Sequence, residues 1–281
     1  MPPALSGEEG MNVMLKGSWR GRRSALLSLL ALGVMGAAAP RAQADEAAEA
    51  ARAIGRELGN AVLTVRVVIK TRVVVEGRQM NESENANETV ATVVSPEGLA
   101  VCALSEVDPS HQLEMMREAG SEYQFEAEVA DLKLVRPDGK ELAAEVVVQD
   151  KDLDLAVLRP SEKPAEPMTA VDLTQERAPE MLEQLVVLSR LGEVANRASS
   201  VALDRVQAIV QKPRTLYVTG VNGWVSGLGC PVFALDGKLV GIVVMRSMPA
   251  IAGGSGGGRS TNMPAVLPAA DVRAVVEQAA Q

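Results

Sequence analysis

The sequence predicts an all-β protein of two barrels or sandwiches, with a short helix near each end. Three observations carry this prediction. Valines fall in short runs, Val65-Arg66-Val67-Val68-Ile69, Val73-Val74-Val75 and Val146-Val147-Val148. Branching at Cβ suits a pleated strand and loses rotamer freedom in a helix. Short strand candidates recur in two series with turn residues between them. A polar, proline-rich stretch, Pro160–Pro167, parts the two series. The 281 residues suffice for one large domain or two small ones. Aromatic residues are only 2% of the chain, so the core must be built from Val, Leu, Ile and Ala.

The N-terminus reads as a targeting segment. Lys16, Arg20, Arg22 and Arg23 precede the apolar stretch Ser24–Val34, and Ala42-Gln43-Ala44 offers small residues to a signal peptidase. The apolar run is shorter than the ~20 residues of a spanning helix. Residues 1–44 are therefore predicted to be a signal peptide cleaved after Ala44. An uncleaved anchor is the competing reading, and Met1, Met11 or Met14 is the start. Cleavage would make the product periplasmic or secreted, with no transmembrane domain in its mature form. It would also remove five bases and two acids, taking the net charge from −8 to −11. A chain this acidic has no general attraction for phosphate backbones, which excludes nucleic acid as a partner class.

Asp45–Leu58 has helical spacing and stops near Gly59-Asn60. Ala61–Ile69 and Arg72–Val75 read as strands. The asparagine-rich Glu76–Glu88 reads as a loop, with glycosylation sequons at Asn81 and Asn87. Thr89–Val94 and Leu99–Leu104 form a hairpin through Ser95-Pro96-Glu97-Gly98. Asp108–Ala119 is a predicted helix, capped by Asp108 with Pro109 in its first turn. Strands follow at Glu126–Val135 and Leu142–Val148, joined by Pro137-Asp138-Gly139-Lys140, and then at Asp154–Leu158. The second series is Leu185–Leu188, Ser200–Val206, Ala208–Gln211, Thr215–Thr219, Val232–Leu235 and Leu239–Met245, with a turn at Asp236-Gly237. Gly253–Gly258 reads as a flexible loop. It does not lie between a strand and a helix, which argues against a phosphate cradle. Ala269–Ala279 is a closing helix.

Three segments then stand out. The first is Val93–Val107, a hairpin leading into Cys102-Ala103-Leu104-Ser105-Glu106-Val107. The second runs from Asp138-Gly139-Lys140 through Ala144-Glu145-Val146-Val147 to Asp154-Leu155-Ala156-Val157-Leu158. The third is Gly227-Leu228-Gly229-Cys230-Pro231-Val232, followed by a hairpin and Val240-Gly241-Ile242. In this order and spacing they resemble the Do/HtrA branch of the trypsin-like serine proteases. Val266-Leu267-Pro268 before the last helix resembles that family's C-terminal element. The resemblance covers roughly residues 58–281. It implies two six-stranded antiparallel β-barrels, residues 45–165 and residues 166–281. The PDZ domain common in that family is expected to be absent, since the chain stops soon after the closing helix.

Carried over residue by residue, the resemblance places the triad acid at Asp154, the histidine position at Ser105 and the nucleophile position at Leu228. The mechanism needs a hydroxyl activated by an imidazole that an acid orients. Leucine has no nucleophile, and serine is no base near neutral pH. The oxyanion loop corresponds to Ser226, Gly227, Gly229 and Cys230. Ser226, two residues early, reads as a loop serine rather than a displaced nucleophile. His111 is the only histidine and reads as an exposed residue of an inserted helix. Glu106 and Asp108 read as solvated loop charges, and Asp154 as a buried acceptor for Ser105 and backbone N–H groups. Cys102 and Cys230 flank the two replaced positions. The resemblance brings their segments face to face, so they either form a disulfide across the site or remain two small buried thiols. No metal or cofactor is implied.

The reading is a pseudoprotease that binds protein or peptide in the cell envelope. The rival readings are an atypical active serine endopeptidase with a displaced nucleophile and a structural or oligomerising subunit.

Overall fold

The computed structural model describes residues 39–75, 78–110, 124–220, 227–248 and 261–279. The chain divides into two units, Met1–Ala44 and Asp45–Gln281, and both barrels belong to the second. Helix α1, Ala39–Leu58, begins earlier than its predicted start at Asp45. Alanine, arginine and glutamine carry it through residues 41–44, and Pro40 falls in its first turn, where a missing N–H is harmless. Ala51 and Ile54 are its buried side.

The valine-rich runs form β1, Val62–Val75, one strand where the sequence predicts two. It pairs with β2, Arg78–Val93, over nearly its whole length. The predicted loop at Glu76–Glu88 is thus mostly strand, and this is a correction. Asparagine and glutamate are weak strand formers. Their partner β1 supplies a continuous ladder, and the side chains from Asn81 to Asn87 stay in solvent. Next come β3 (Ala100–Ala103), the one-turn helix α2 (Leu104–Val107), β4 (Gln124–Val135), β5 (Glu141–Asp150) and β6 (Leu155–Pro160). They close into a barrel in the order β1-β2-β3-β6-β5-β4.

The second barrel holds β7 (Gln184–Arg190), β8 (Ser199–Val210), β9 (Leu216–Thr219), β10 (Pro231–Ala234), β11 (Leu239–Met248) and β12 (Thr261–Pro268). Its order is β10-β11-β12-β9-β8-β7. The two strands predicted at Ser200–Val206 and Ala208–Gln211 are one strand, β8, whose register shifts between Val206 and Ala208. That shift is a bulge, which reads in sequence as a strand break. β12 is longer than the short element foreseen at Val266-Leu267-Pro268. Helix α3, Ala269–Ala279, closes the chain. Among the described residues no helix is long and apolar enough to cross a membrane.

The pleat sorts side chains between two cores. In β3, Ala100 and Cys102 face the interior of the first barrel, whereas Val101 and Ala103 join the larger core shared with the second. In β6, Ala156 and Leu158 take the first destination, and Leu155 and Val157 the second. Strands buried on both faces read as continuous apolar runs, and this alternation tells where each residue goes.

Candidate functional site

The site is built on the turn before β6. Leu153 N–H donates to Asp150 Oδ1 at 2.9 Å, which shapes the turn. Asp154 then takes the left-handed conformation, φ +55°. Aspartate tolerates that region better than most residues, and surrounding hydrogen bonds hold it there. Leu104 N–H donates to the Asp154 carbonyl at 3.1 Å. Ser105 N–H donates to Asp154 Oδ1 at 2.7 Å, and Ser105 Oγ–H to Oδ2 at 3.1 Å. Met245 N–H, from β11 of the second barrel, donates to the same Oδ2 at 2.7 Å. Arg246 donates to the Asp152 carbonyl beside it. The structure therefore brings Ser105 and Asp154 together and ties both to β11.

The loop before β10 reaches the first barrel at Gly229. Thr92 Oγ–H donates to the Gly229 carbonyl at 2.7 Å. Gly229 N–H donates to the Val243 carbonyl at 2.7 Å, and Val243 N–H to the Cys230 carbonyl at 2.9 Å. Gly229 sits at φ +86°, where a Cβ would collide with the Val90 carbonyl and stand 3.3 Å from the Cys102 Cα. Only glycine meets both the conformation and the close approach. Leu228, next to it, is 9% exposed and belongs to the core shared by the barrels. A Cβ at Gly227 would meet Val90 only at ordinary contact distance. Ser226 and His111 lie outside the described residues.

Burial sets the electrostatics. Desolvation pushes the Asp154 carboxyl above its usual range, against the hydrogen bonds from Met245 and Ser105. Glu106 is also pushed up, by its own burial and by the charge of Asp154, with a Thr89 hydrogen bond opposing. Glu106 is thus not the solvated charge the sequence suggests, because α2 turns it toward Thr89 and Asp154. Asp108 caps the next turn: Ser110 N–H and Oγ–H donate to its two oxygens at 2.9 and 2.6 Å.

Cys102 and Cys230 are free and buried thiols, so of the two alternatives the disulfide is the one not formed. The reason is the pleat. Cys102 points into the first barrel, and Cys230 belongs to the shared core. Burial raises both thiols, Cys230 to about 12 despite contacts with Ser189 and the Gly227 backbone. Thiols held protonated in this way are inert rather than reactive.

Three participants lie outside the sequence prediction: Thr92, Arg190 and the amide of Met245. Arg190 is 9% exposed at the end of β7. Its Nε donates to the Val62 carbonyl at 2.7 Å, Nη2 to Gly59 at 2.8 Å and Nη1 to Arg197 at 2.9 Å. Threonine or arginine inside an apolar strand is a signal of such a role, since a buried polar group needs partners. A backbone amide carries no such signal.

Two closed six-stranded antiparallel barrels, joined through a buried acid at the head of β6, define a chymotrypsin-type double barrel. The model of the trypsin-like peptidase domain matches residues 59–242, and the chain belongs to that family. No curated protein matches the chain.

Proposed function

We propose that this chain is an exported pseudoprotease of the trypsin-like family, from its Do/HtrA-like branch, that binds protein or peptide without cutting it. The observation that carries this is Leu228. It follows Gly227 and precedes Gly229-Cys230-Pro231, where the resemblance puts the nucleophile, and its side chain is buried in apolar core. A hydrocarbon there offers no nucleophile. At the histidine position, Ser105 gives its hydroxyl to Asp154, so the acid orients a neutral hydroxyl instead of an imidazole. Asp154 keeps its buried place as an acceptor for both barrels.

Binding draws support from β11. Beyond Val243 this strand pairs with β12 on one side, while its pairing with β10 ends at Ile242. Such an edge suits an extended peptide added as a further strand. Export draws support from the basic and apolar N-terminal pattern. Cleavage after Ala44 would release residues 45–165 and 166–281 as the two barrel domains into the periplasm or the medium.

Incubation of the purified protein with unfolded casein tests the reading. The expected result is intact casein after a time in which trypsin digests it fully. Turnover that disappears in Ser226→Ala would establish the rival reading, an atypical active endopeptidase.

A further inference from the structure

A groove of about 600 Å³ lies between the turn preceding β3, the end of β6 and helix α3. Its size falls in the range of roughly 300–1,000 Å³ typical of small-molecule sites. Leu99, Pro160 and Val276 provide an apolar lining, with Arg159 and Lys163 beside them.

The backbone around this groove is already committed. The Leu99 carbonyl accepts from Val94 N–H at 2.8 Å, the Ser95 carbonyl from Gly98 N–H at 3.0 Å, and the Pro96 carbonyl from Met168 N–H at 2.9 Å. Leu99 N–H donates to Ser95 Oγ at 3.3 Å. Proline at 160 has no N–H to give, and the Ala279 carbonyl of α3 accepts from Arg159. A peptide laid here would find no ladder for its own amides, and buried polar groups left unmet weaken binding. A hydrocarbon chain needs no such partners.

The charges point to the other end of the ligand. Arg273 is answered by Glu176 at 3.4 Å and Glu277 at 3.9 Å. Among the described residues Lys163 makes no ion pair, and Arg159 meets a carbonyl rather than a carboxylate. Glu97 also lines the groove but makes no ion pair with either cation. On a chain of net charge −8, two cations with no ion-pair partner among the described residues, beside an apolar lining, form a site for an anionic head on an apolar tail.

We infer that this groove binds a single-chain fatty-acid carboxylate, with the acyl chain on Leu99, Pro160 and Val276 and the head between Arg159 and Lys163. The site is separate from Asp154 and does not depend on whether the chain cuts peptides.

Calorimetric titration with decanoate, below its micelle concentration, tests the inference on the purified protein. The expected result is saturable binding of one decanoate per chain. Decyltrimethylammonium, with the same tail and the opposite charge, is expected to bind at least tenfold more weakly. Lys163→Glu, an exposed change that spares the fold, is expected to weaken decanoate at least tenfold, and Val276→Asp to abolish binding. Equal binding of both amphiphiles, or decanoate binding unchanged in Lys163→Glu, overturns the inference. So does an apolar peptide that displaces decanoate from the groove.

Discussion

Two buried charges join the barrels, and they do so in opposite ways. Asp154 stands at the head of β6 and accepts from an amide of the second barrel, Met245 N–H. Arg190 stands at the end of β7 and donates to two carbonyls just before and within β1, at Gly59 and Val62. Arg190 is answered by backbone carbonyls, and Asp154 by two backbone amides and the Ser105 hydroxyl. Burial acts on both, but the consequences differ. It lowers the Arg190 pKa from its ordinary value, yet a guanidinium remains charged throughout the physiological range. It raises the Asp154 pKa, which brings the loss of that charge closer to neutral pH. One junction is a permanent tie, and the other is conditional on pH. The conditional one occupies the position where the family's chemistry would lie.

Replacing Arg190 should have the largest effect on this pair of junctions. Arg190→Met keeps the apolar stem and removes every donor, so the Gly59, Val62 and Arg197 carbonyls each lose the hydrogen bond that the guanidinium gives them. At about 1–3 kcal/mol for each unmet group, the expected loss exceeds about 3 kcal/mol in denaturant unfolding. Asp154→Asn comes next. Asparagine tolerates the left-handed backbone, but its amide nitrogen must face either Ser105 N–H or Met245 N–H. The expected loss is about 1–3 kcal/mol. A loss at Asp154 as large as that at Arg190 would erase the distinction between the two junctions.

The pH dependence sharpens the contrast. Asp154 and Glu106 both have folded pKa values above their ordinary 3.8 and 4.5. The folded state therefore binds more protons than the unfolded state in that window. Stability is full below the ordinary values and declines as pH rises through the folded ones. Melting temperatures from about pH 4 to pH 8 should fall for this reason, and Glu106→Gln should flatten part of the decline. Arg190 has no titration in this range, so Arg190→Met should lower the whole curve without changing its slope. The smallest effect is expected for Ser105→Ala. It removes one hydroxyl hydrogen bond and keeps the backbone bond to Oδ1, for a loss of about 0.5–1.5 kcal/mol by thermal or chemical unfolding.

Much of this architecture is legible in the sequence. Turns at Asp138-Gly139 and Asp236-Gly237 appear where predicted, with both glycines at positive φ. The closing helix has its predicted bounds. Other elements depend on partners that local patterns do not reveal. The polar strand at Asn81–Asn87 exists because β1 lies beside it. The bulge in β8 interrupts the alternation without ending the strand. In the run Ala100-Val101-Cys102-Ala103 every residue is buried. Hydrophobicity alone therefore could not show that Cys102 faces away from the shared core that holds Cys230. The Met245 amide was invisible for a simpler reason, since every residue except proline has one.

Intact-protein mass spectrometry after incubation with a fluorophosphonate tests the central claim most directly. The probe phosphonylates a serine hydroxyl only when a catalytic site activates it. The expected result is an unmodified mass under conditions that label trypsin completely. A stoichiometric adduct located at Ser226, and lost in Ser226→Ala, would contradict the account.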